Sequence, residues 1–184
     1  MRSRSLVLGA ALLLALAGCE KRDEGASAAP PPVQVVQQSA ASAGGACILW
    51  DYAFIKEKIG VAFSVAASGQ VDDTSTCVVQ TAAGDYPDLV LSVVESTKAT
   101  SGQFLQDLKP SKASTLKGLG KAAYRLYTPA AAGRGPIIEI GWLSEAKQLQ
   151  TLRFTFARDA TAAAVTGMTP KLTALARAMD TTDG

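Results

Sequence analysis

Ser114 and Lys117 have the Ser-x-x-Lys spacing in which a lysine amine takes the proton from a nucleophilic serine. Enzymes that use this pair also carry Lys-Thr-Gly and Ser-Asp-Asn segments, and neither occurs in the 184 residues. The chain also has no histidine, so the commonest general base and the imidazole metal ligand are both missing. The sequence therefore predicts that Ser114 and Lys117 lie in a loop, that the chain has no catalytic residues and that it is not an enzyme.

Two acidic segments could supply the oxygen ligands that calcium prefers. Asp72 and Asp73 are adjacent, and Asp85 and Asp88 border a Gly-Asp-Tyr-Pro turn. Calcium loops place acidic residues at alternating positions and end on a bidentate glutamate, a spacing that neither segment has. We interpret both segments as solvated turns, and the sequence predicts no metal site and no cofactor.

One stretch of the chain is strongly basic. No acidic residue occurs between Asp107 and Glu139, and this stretch holds five cations that could form one anion-binding patch: Lys109, Lys112, Lys117, Lys121 and Arg125. Such a patch suits anionic headgroups, lipopolysaccharide phosphates or an acidic partner. The alternative is a solubilising surface with lysines that protect a strand edge. The whole chain has 18 basic and 16 acidic residues, which predicts no nucleic-acid partner.

The N-terminus carries the features of an export signal. Arg2 and Arg4 give it a positive start, and an apolar run over 6–17 follows. This run is too short for a bilayer, which needs about 20 apolar residues. Residues 16–19, Leu-Ala-Gly-Cys, resemble the lipobox of bacterial lipoproteins.

That resemblance implies that 1–18 are a signal peptide, cleaved before Cys19, whose thiol and new amino group are then acylated. Several acyl chains anchor a protein stably, whereas a single one binds marginally. Glu20, in place of an aspartate, favours the outer membrane with the protein facing the periplasm. The alternative is an ordinary signal peptide cut nearby, with Cys19 incidental.

Residues 19–45 have the composition of a tether. They combine a short charged cluster with Ala, Ser, Gln, Gly and three consecutive prolines, which gives too little apolar surface to order the segment. We expect a lipidated cysteine followed by a disordered linker, and one folded domain over 46–180 with a disordered tail at 181–184.

Cys47 and Cys77 remain once Cys19 is lipidated. An even pair of cysteines in an exported domain most often forms a disulfide. A redox-active pair is the alternative, but it requires the Cys-x-x-Cys spacing that this chain lacks. The sequence predicts a structural disulfide.

Hydrophobic periodicity predicts the elements of the domain. A helix is expected over 52–59, capped by Asp51 and stopped by Gly60, and a loop over 66–76. The further elements are two strands, a helix, three strands and a helix, at 77–81, 88–95, 100–108, 121–128, 136–143, 147–156 and 161–179. The last helix is expected to restart at Pro170 with Thr169 as its cap. This order predicts an α+β fold, with a single antiparallel sheet of about five strands (ββ-α-βββ) and helices packed on one face.

The pattern also resembles a class of secreted actinobacterial lipoproteins of unknown function. It comprises Cys47-x-Leu49, a helix ending at Gly60, Cys77 on a strand, and the segment Leu-Lys-Gly-Leu-Gly-Lys-Ala-Ala-Tyr at 116–124. The resemblance implies a PsbP-like fold over 46–180 and implies no catalytic residues. We therefore expect a non-enzymatic envelope lipoprotein, tethered to the membrane, whose partner is an unknown envelope protein or an anionic lipid. The alternative is a small-ligand or lipid carrier with a pocket on the concave face of the sheet.

Overall fold

The structure is a computed structural model that describes residues 37–95, 97–131 and 133–180. The predicted signal peptide, the lipidation site Cys19, most of the predicted tether and the predicted tail at 181–184 lie outside the described residues. The ordered domain includes residues 40–45, which the composition assigned to the tether: Ala40 is fully buried in a 3-10 helix over Ala40–Ala43.

The domain is α+β, with one antiparallel sheet in the order β1-β2-β3-β7-β6-β5-β4. Its seven strands are β1 (Val65–Val71), β2 (Thr74–Thr81), β3 (Gly84–Val94), β4 (Ser114–Leu116), β5 (Ala122–Thr128), β6 (Ile137–Leu143) and β7 (Leu149–Thr155). The fold class and the single antiparallel sheet are as predicted, but the sheet has seven strands instead of about five.

Both additional strands lie at the edges of the sheet. The predicted loop over 66–76 is wrong: it is a hairpin in which β1 pairs with β2 across an Asp72-Asp73 turn, with Asp72 at φ 50°. At the other edge, β4 pairs its three residues with Ala123–Arg125 of β5. Edge strands bury little surface, so neither carries the apolar alternation by which strands are recognised.

Three helices accompany the sheet: α1 (Tyr52–Ile59), α2 (Ser101–Gln103) and α3 (Ala162–Asp180). The α1 helix begins and ends as predicted, because the Asp51 carboxylate accepts from the Ala53 N–H at 2.6 Å and Gly60 takes the left-handed conformation at φ 80°. Thr100 and Gln103 form a capping box on α2, which continues as a π-helical turn over Phe104–Leu108.

The predicted restart of the last helix at Pro170 is wrong, since α3 is continuous from Ala162 to Asp180. Thr169 does not cap a new helix; its hydroxyl donates back to the Val165 carbonyl at 3.4 Å. A proline removes a single helical hydrogen bond, and the following turns are anchored by Leu172 and Leu175, which are fully buried. Tertiary packing therefore carries the helix through the proline.

The helices cover both faces of the sheet, contrary to the prediction of one. Ala123 belongs to the main core beneath α1 and α3, with Trp142 and Ile140. Tyr124, its neighbour on β5, points to the other face and packs with Phe104 of the π-helical turn, their ring centroids 5.8 Å apart. The main core face is called face A here, and the face of Tyr124 is called face B. None of the helices within the described ranges is long and apolar enough to cross a membrane.

Candidate functional site

The two remaining cysteines form a buried staple. Cys47 and Cys77 are at disulfide distance, with their Cα atoms 4.9 Å apart, and both are fully buried. The bond joins the 3-10 helix over Gly45–Leu49 to the middle of β2. The predicted pairing is confirmed, and its burial in the main core fits a structural role.

A groove of 860 Å³ lies on face A between the first half of α3 and strands β5 and β6. The second half of α3 packs tightly on the sheet through Leu172, Leu175 and Ala176. Its first half instead presents small residues, among them Ala162 and Thr166, to the sheet. These side chains are too short to fill the space above β5 and β6, so a groove opens there.

The groove has an apolar floor. Ile138 of β6 is 1% exposed at its base, while Val165 and Pro170 of α3 form the opposite wall. Tyr127 of β5 closes one side and is 52% exposed. This arrangement gives an apolar ligand segment a surface on which to lose its contact with water.

Three arginines line the same groove: Arg125 from β5, Arg158 from the loop after β7, and Arg177 from α3. No Asp or Glu is among the lining residues, and within the described ranges no carboxylate lies within 4.0 Å of the three guanidinium groups. No described residue therefore neutralises the three positive charges of the groove by an ion pair. A guanidinium binds carboxylates and phosphates through several N–H donors at once.

Arg177 is the most firmly positioned of the three. Its Nε donates to the Gly118 carbonyl at 2.9 Å, and its Nη2 donates to the Lys117 carbonyl at 3.1 Å. These bonds connect α3 to the loop between β4 and β5, and no described residue accepts from the Nη1 donors. A ligand that accepts from Arg177 consequently meets a side chain whose orientation is already fixed.

The threonines of the groove wall cannot compete with the arginines as donors. Thr166, Thr169 and Thr173 each donate their hydroxyl proton to a carbonyl one turn earlier in α3. Pro170, between them, has no N–H to offer. Apart from the Tyr127 hydroxyl, the side-chain donors of the groove are thus those of the three arginines, which favours an anion over a neutral hydrogen-bonding ligand.

Of the five cations of the predicted patch, Arg125 is the one that lines the groove. Arg125 lies in the groove, whereas Lys109 donates to the Ala113 carbonyl at 3.2 Å, beside the π-helical turn. Lys121 donates to the Glu145 carbonyl at 2.7 Å, and its ammonium is 3.8 Å from the carboxylate of the same residue. Lys112 and Lys117 are exposed and stand on either side of β4 in the sequence. Their placement is that of lysines that protect an edge strand.

Sequence reasoning missed Arg158 and Arg177 as site residues. Arg158 is a single charge in a loop and gives no signal at all. Arg177, however, continues a stripe at positions 166, 170, 173 and 177, whose spacing of three or four residues marks one helix face. That stripe of small residues ending in a cation could have been recognised beside the apolar stripe of Val165 and Leu172.

Face B carries a second, polar cluster. The Tyr124 hydroxyl donates to Glu139 Oε1 at 2.8 Å, and its ring covers Gly141 on the neighbouring strand. Burial, and then the charge of Glu139, raise the pKa of Tyr124. Burial also raises the pKa of Asp88, opposed by a hydrogen bond from Thr155 and the charge of Arg153. In the described residues no group of three or more Cys, Asp or Glu could hold a metal ion. We interpret this cluster as part of the folding framework.

No family model, no curated protein and no solved structure matches this chain. The resemblance to actinobacterial lipoproteins with a PsbP-like fold therefore stays a prediction. The groove with its three arginines is the feature of the described residues that best suits a ligand.

Proposed function

We propose that the chain is a lipid-anchored, non-enzymatic binding protein of the bacterial cell envelope. In this proposal Cys19 carries the acyl chains, and the predicted tether holds the domain near the membrane. The favoured location is the outer membrane, with the domain facing the periplasm. The lipobox at 16–19 supports the anchor. The activity of the domain is to bind an anionic amphiphile, meaning a molecule with a carboxylate or phosphate head and an apolar segment.

The observation that carries this function is the combination, in one groove, of an apolar floor and three arginines that form no ion pair with any described residue. A volume of 860 Å³ lies within the range of about 300–1,000 Å³ that small-molecule sites occupy. The head of the ligand would accept from Arg125, Arg158 and Arg177, while its apolar segment would cover Ile138 and Val165. Each part alone is common on protein surfaces, but together they select a ligand with both properties.

The shape of the groove supports one of the two functions that the sequence left open over the other. The main core is filled by side chains such as Trp142 and Phe154, which are at most 1% exposed. The binding space is therefore a groove at the surface, and a ligand in it stays partly accessible. This favours a tethered binding domain that captures or presents an amphiphile over a carrier that encloses one.

Binding of a fluorescent fatty acid tests the proposal. We expect the chain beginning at Glu20 to bind 11-dansylaminoundecanoate, with a rise and blue shift of the dansyl emission, and to bind its uncharged methyl ester at least tenfold more weakly. Loss of one charge-assisted hydrogen bond costs about 1.5–3 kcal/mol, and about 1.4 kcal/mol is a factor of ten in Kd. Arg125→Gln and Arg158→Gln should each therefore weaken binding of the carboxylate about tenfold or more.

Arg153→Gln is the matched control, because Arg153 is an exposed arginine of β7 on face B, the side of the sheet opposite the groove. It should leave the Kd of the carboxylate within twofold of wild type. Equal affinity for the acid and its methyl ester, or an equal loss in Arg153→Gln, would contradict the proposed role of the groove. The melting temperatures of the variants show whether each of them is folded.

A further inference from the structure

The loop between β4 and β5 contacts the groove through one of its arginines. The loop covers residues 117–120, Lys-Gly-Leu-Gly, and none of these residues lines the groove itself. The Gly118 carbonyl accepts from Arg177 Nε at 2.9 Å, and the Lys117 carbonyl accepts from Nη2 at 3.1 Å. The orientation of the Arg177 guanidinium therefore depends on where the loop holds these two carbonyl oxygens.

The last residue of α3, Asp180, holds the same loop at its other end. The Gly120 N–H donates to Asp180 Oδ2 at 3.1 Å. Asp180 follows Arg177 by three residues, and residues three apart are neighbours on a helix surface. The arginine thus donates to the first two residues of the loop, while the carboxylate accepts from the last one.

The sheet confines the loop from the opposite side. Leu119 is 3% exposed and belongs to the main core. Gly120 has φ 49° and passes so close to β6 that a Cβ at this position would collide with the Leu143 carbonyl. The loop therefore lies between the sheet and Asp180, and this confinement fixes the two carbonyls that bind Arg177.

We propose that Asp180 is a positioning residue of the groove: it holds the loop at Gly120 and thereby keeps Arg177 in the orientation that binds the anionic head. This inference rests on the proposed function, because it concerns the affinity of the groove for the same ligand. An arginine side chain that is ordered only when the ligand binds loses rotamer freedom at that step, which lowers affinity. The loop orders Arg177 in advance, so the ligand binds without this loss.

Charge and positioning predict opposite effects for the removal of Asp180. A carboxylate near an anion site repels the ligand, so a residue that acts through its charge alone should, when removed, leave binding tighter. A residue that positions Arg177 should, when removed, leave binding weaker, because the loop is no longer held at Gly120. The direction of the change in Kd therefore separates the two roles.

Asp180→Ala and Asp180→Asn test the proposal in the chain beginning at Glu20, with 11-dansylaminoundecanoate and its methyl ester as probes. We expect Asp180→Ala to weaken binding of the acid at least threefold and to leave the Kd of the ester within twofold of wild type. Asp180→Asn keeps an acceptor oxygen for the Gly120 N–H and lacks the charge, so it should bind the acid at least as tightly as wild type. Asp107→Ala is the matched control, since Asp107 is an exposed acid of the π-helical turn on face B, and it should change neither Kd by more than twofold.

A double-mutant cycle shows whether Asp180 acts through Arg177. We expect Arg177→Gln to weaken binding of the acid about tenfold, as the loss of a charge-assisted hydrogen bond does. In that background Asp180→Ala should weaken it no further, because the side chain that the loop holds is already gone. The melting temperatures show that each variant is folded.

The possible failures are distinguishable. Equal affinity of wild type for the acid and the ester would contradict the proposed function. If wild type prefers the acid and Arg177→Gln weakens its binding, then unchanged or tighter binding in Asp180→Ala would overturn the positioning role alone. A loss in Asp180→Asn as large as that in Asp180→Ala, or an equal effect of Asp180→Ala with and without Arg177, would overturn it as well.

Discussion

Breaking the disulfide between Cys47 and Cys77 should cost the domain a large part of its stability. The bond closes a loop with a sequence separation of 30 residues. A cross-link that closes a loop of this length lowers the entropy of the unfolded chain, which adds about 3–4 kcal/mol to the free energy of unfolding. Small and medium domains are stable by only about 5–15 kcal/mol in total, so the reduced protein should unfold at markedly lower urea concentration.

The assay compares oxidised and reduced protein by urea denaturation. Reduction adds two thiol hydrogens and removes no atom from the core. The difference between the two urea midpoints therefore reports the effect of the covalent bond alone. Trp50 and Trp142 are 2% and 0% exposed, and their fluorescence should shift to longer wavelength when unfolding brings them into water. With a urea slope of about 1–3 kcal/mol per M, the midpoint should fall by at least about 1 M.

Cys47→Ala/Cys77→Ala is the control for the reductant. Its midpoint should lie at or below that of the reduced wild type, since two small cavities are added, and it should not change when reductant is present. If full reduction, verified by counting two free thiols, leaves the wild-type midpoint unchanged, then the loop between the cysteines is already constrained in the unfolded state. That result would refute the entropic reasoning.

Four other changes have defined outcomes. Gly141→Ala should lower the free energy of unfolding by about 2–4 kcal/mol in urea denaturation, because its Cβ would lie 2.4 Å from the Tyr124 ring and displace it from Glu139. The pKa of Tyr124 is raised in the folded state, so the folded protein holds the phenolic proton more tightly than the unfolded chain, in which this pKa is near 10.0. The free energy of unfolding in urea should therefore be unaffected by this group below pH 10 and should fall above it. In Tyr124→Phe the fall should be shallower. The pKa of Asp88 is also raised in the folded state, so ionisation of Asp88 destabilises the fold as the pH rises. Asp88→Asn should therefore be more stable than wild type at pH 7 and lose that advantage near pH 3, where wild-type Asp88 is protonated. Urea titrations at the two pH values measure the difference. Cys19→Ser should leave an unprocessed precursor that takes up no radiolabelled fatty acid, and normal labelling of this variant would contradict the predicted anchor.

Elements with strong periodicity or clear end signals could be predicted from the sequence. In β6 and β7 the alternation of apolar residues is almost unbroken, and α1 has both an aspartate cap and a glycine stop. β1 could not be recognised, because its alanines, serine and glycine carry no alternation and it buries almost nothing. Pro170 misled the prediction of α3, since local propensity gives way where the following turn is fully buried.

The candidate site was predictable only in part. Arg125 stood in the basic stretch, but it joins Arg158 and Arg177, which are 33 and 52 residues away along the chain. The three meet because β5, the loop after β7 and α3 converge on one side of face A. That convergence depends on strand order, which no local spacing in the sequence encodes. The disulfide was predictable because it follows from the cysteine count and the predicted export of the chain.

In the proposed lipid-anchored protein, the position of the disulfide sets the path of mechanical load through the domain. Tension on the chain ahead of Gln37 reaches the domain through the 3-10 helices and arrives at Cys47, from which the covalent bond passes it directly to β2. Residues 48–76 lie inside the loop that the bond closes, so the covalent path from Cys47 to Cys77 bypasses the backbone of α1 and β1. In the proposed lipid-anchored protein, a load from the membrane side would therefore reach β2 directly, and the ladder between β2 and β3 would resist it.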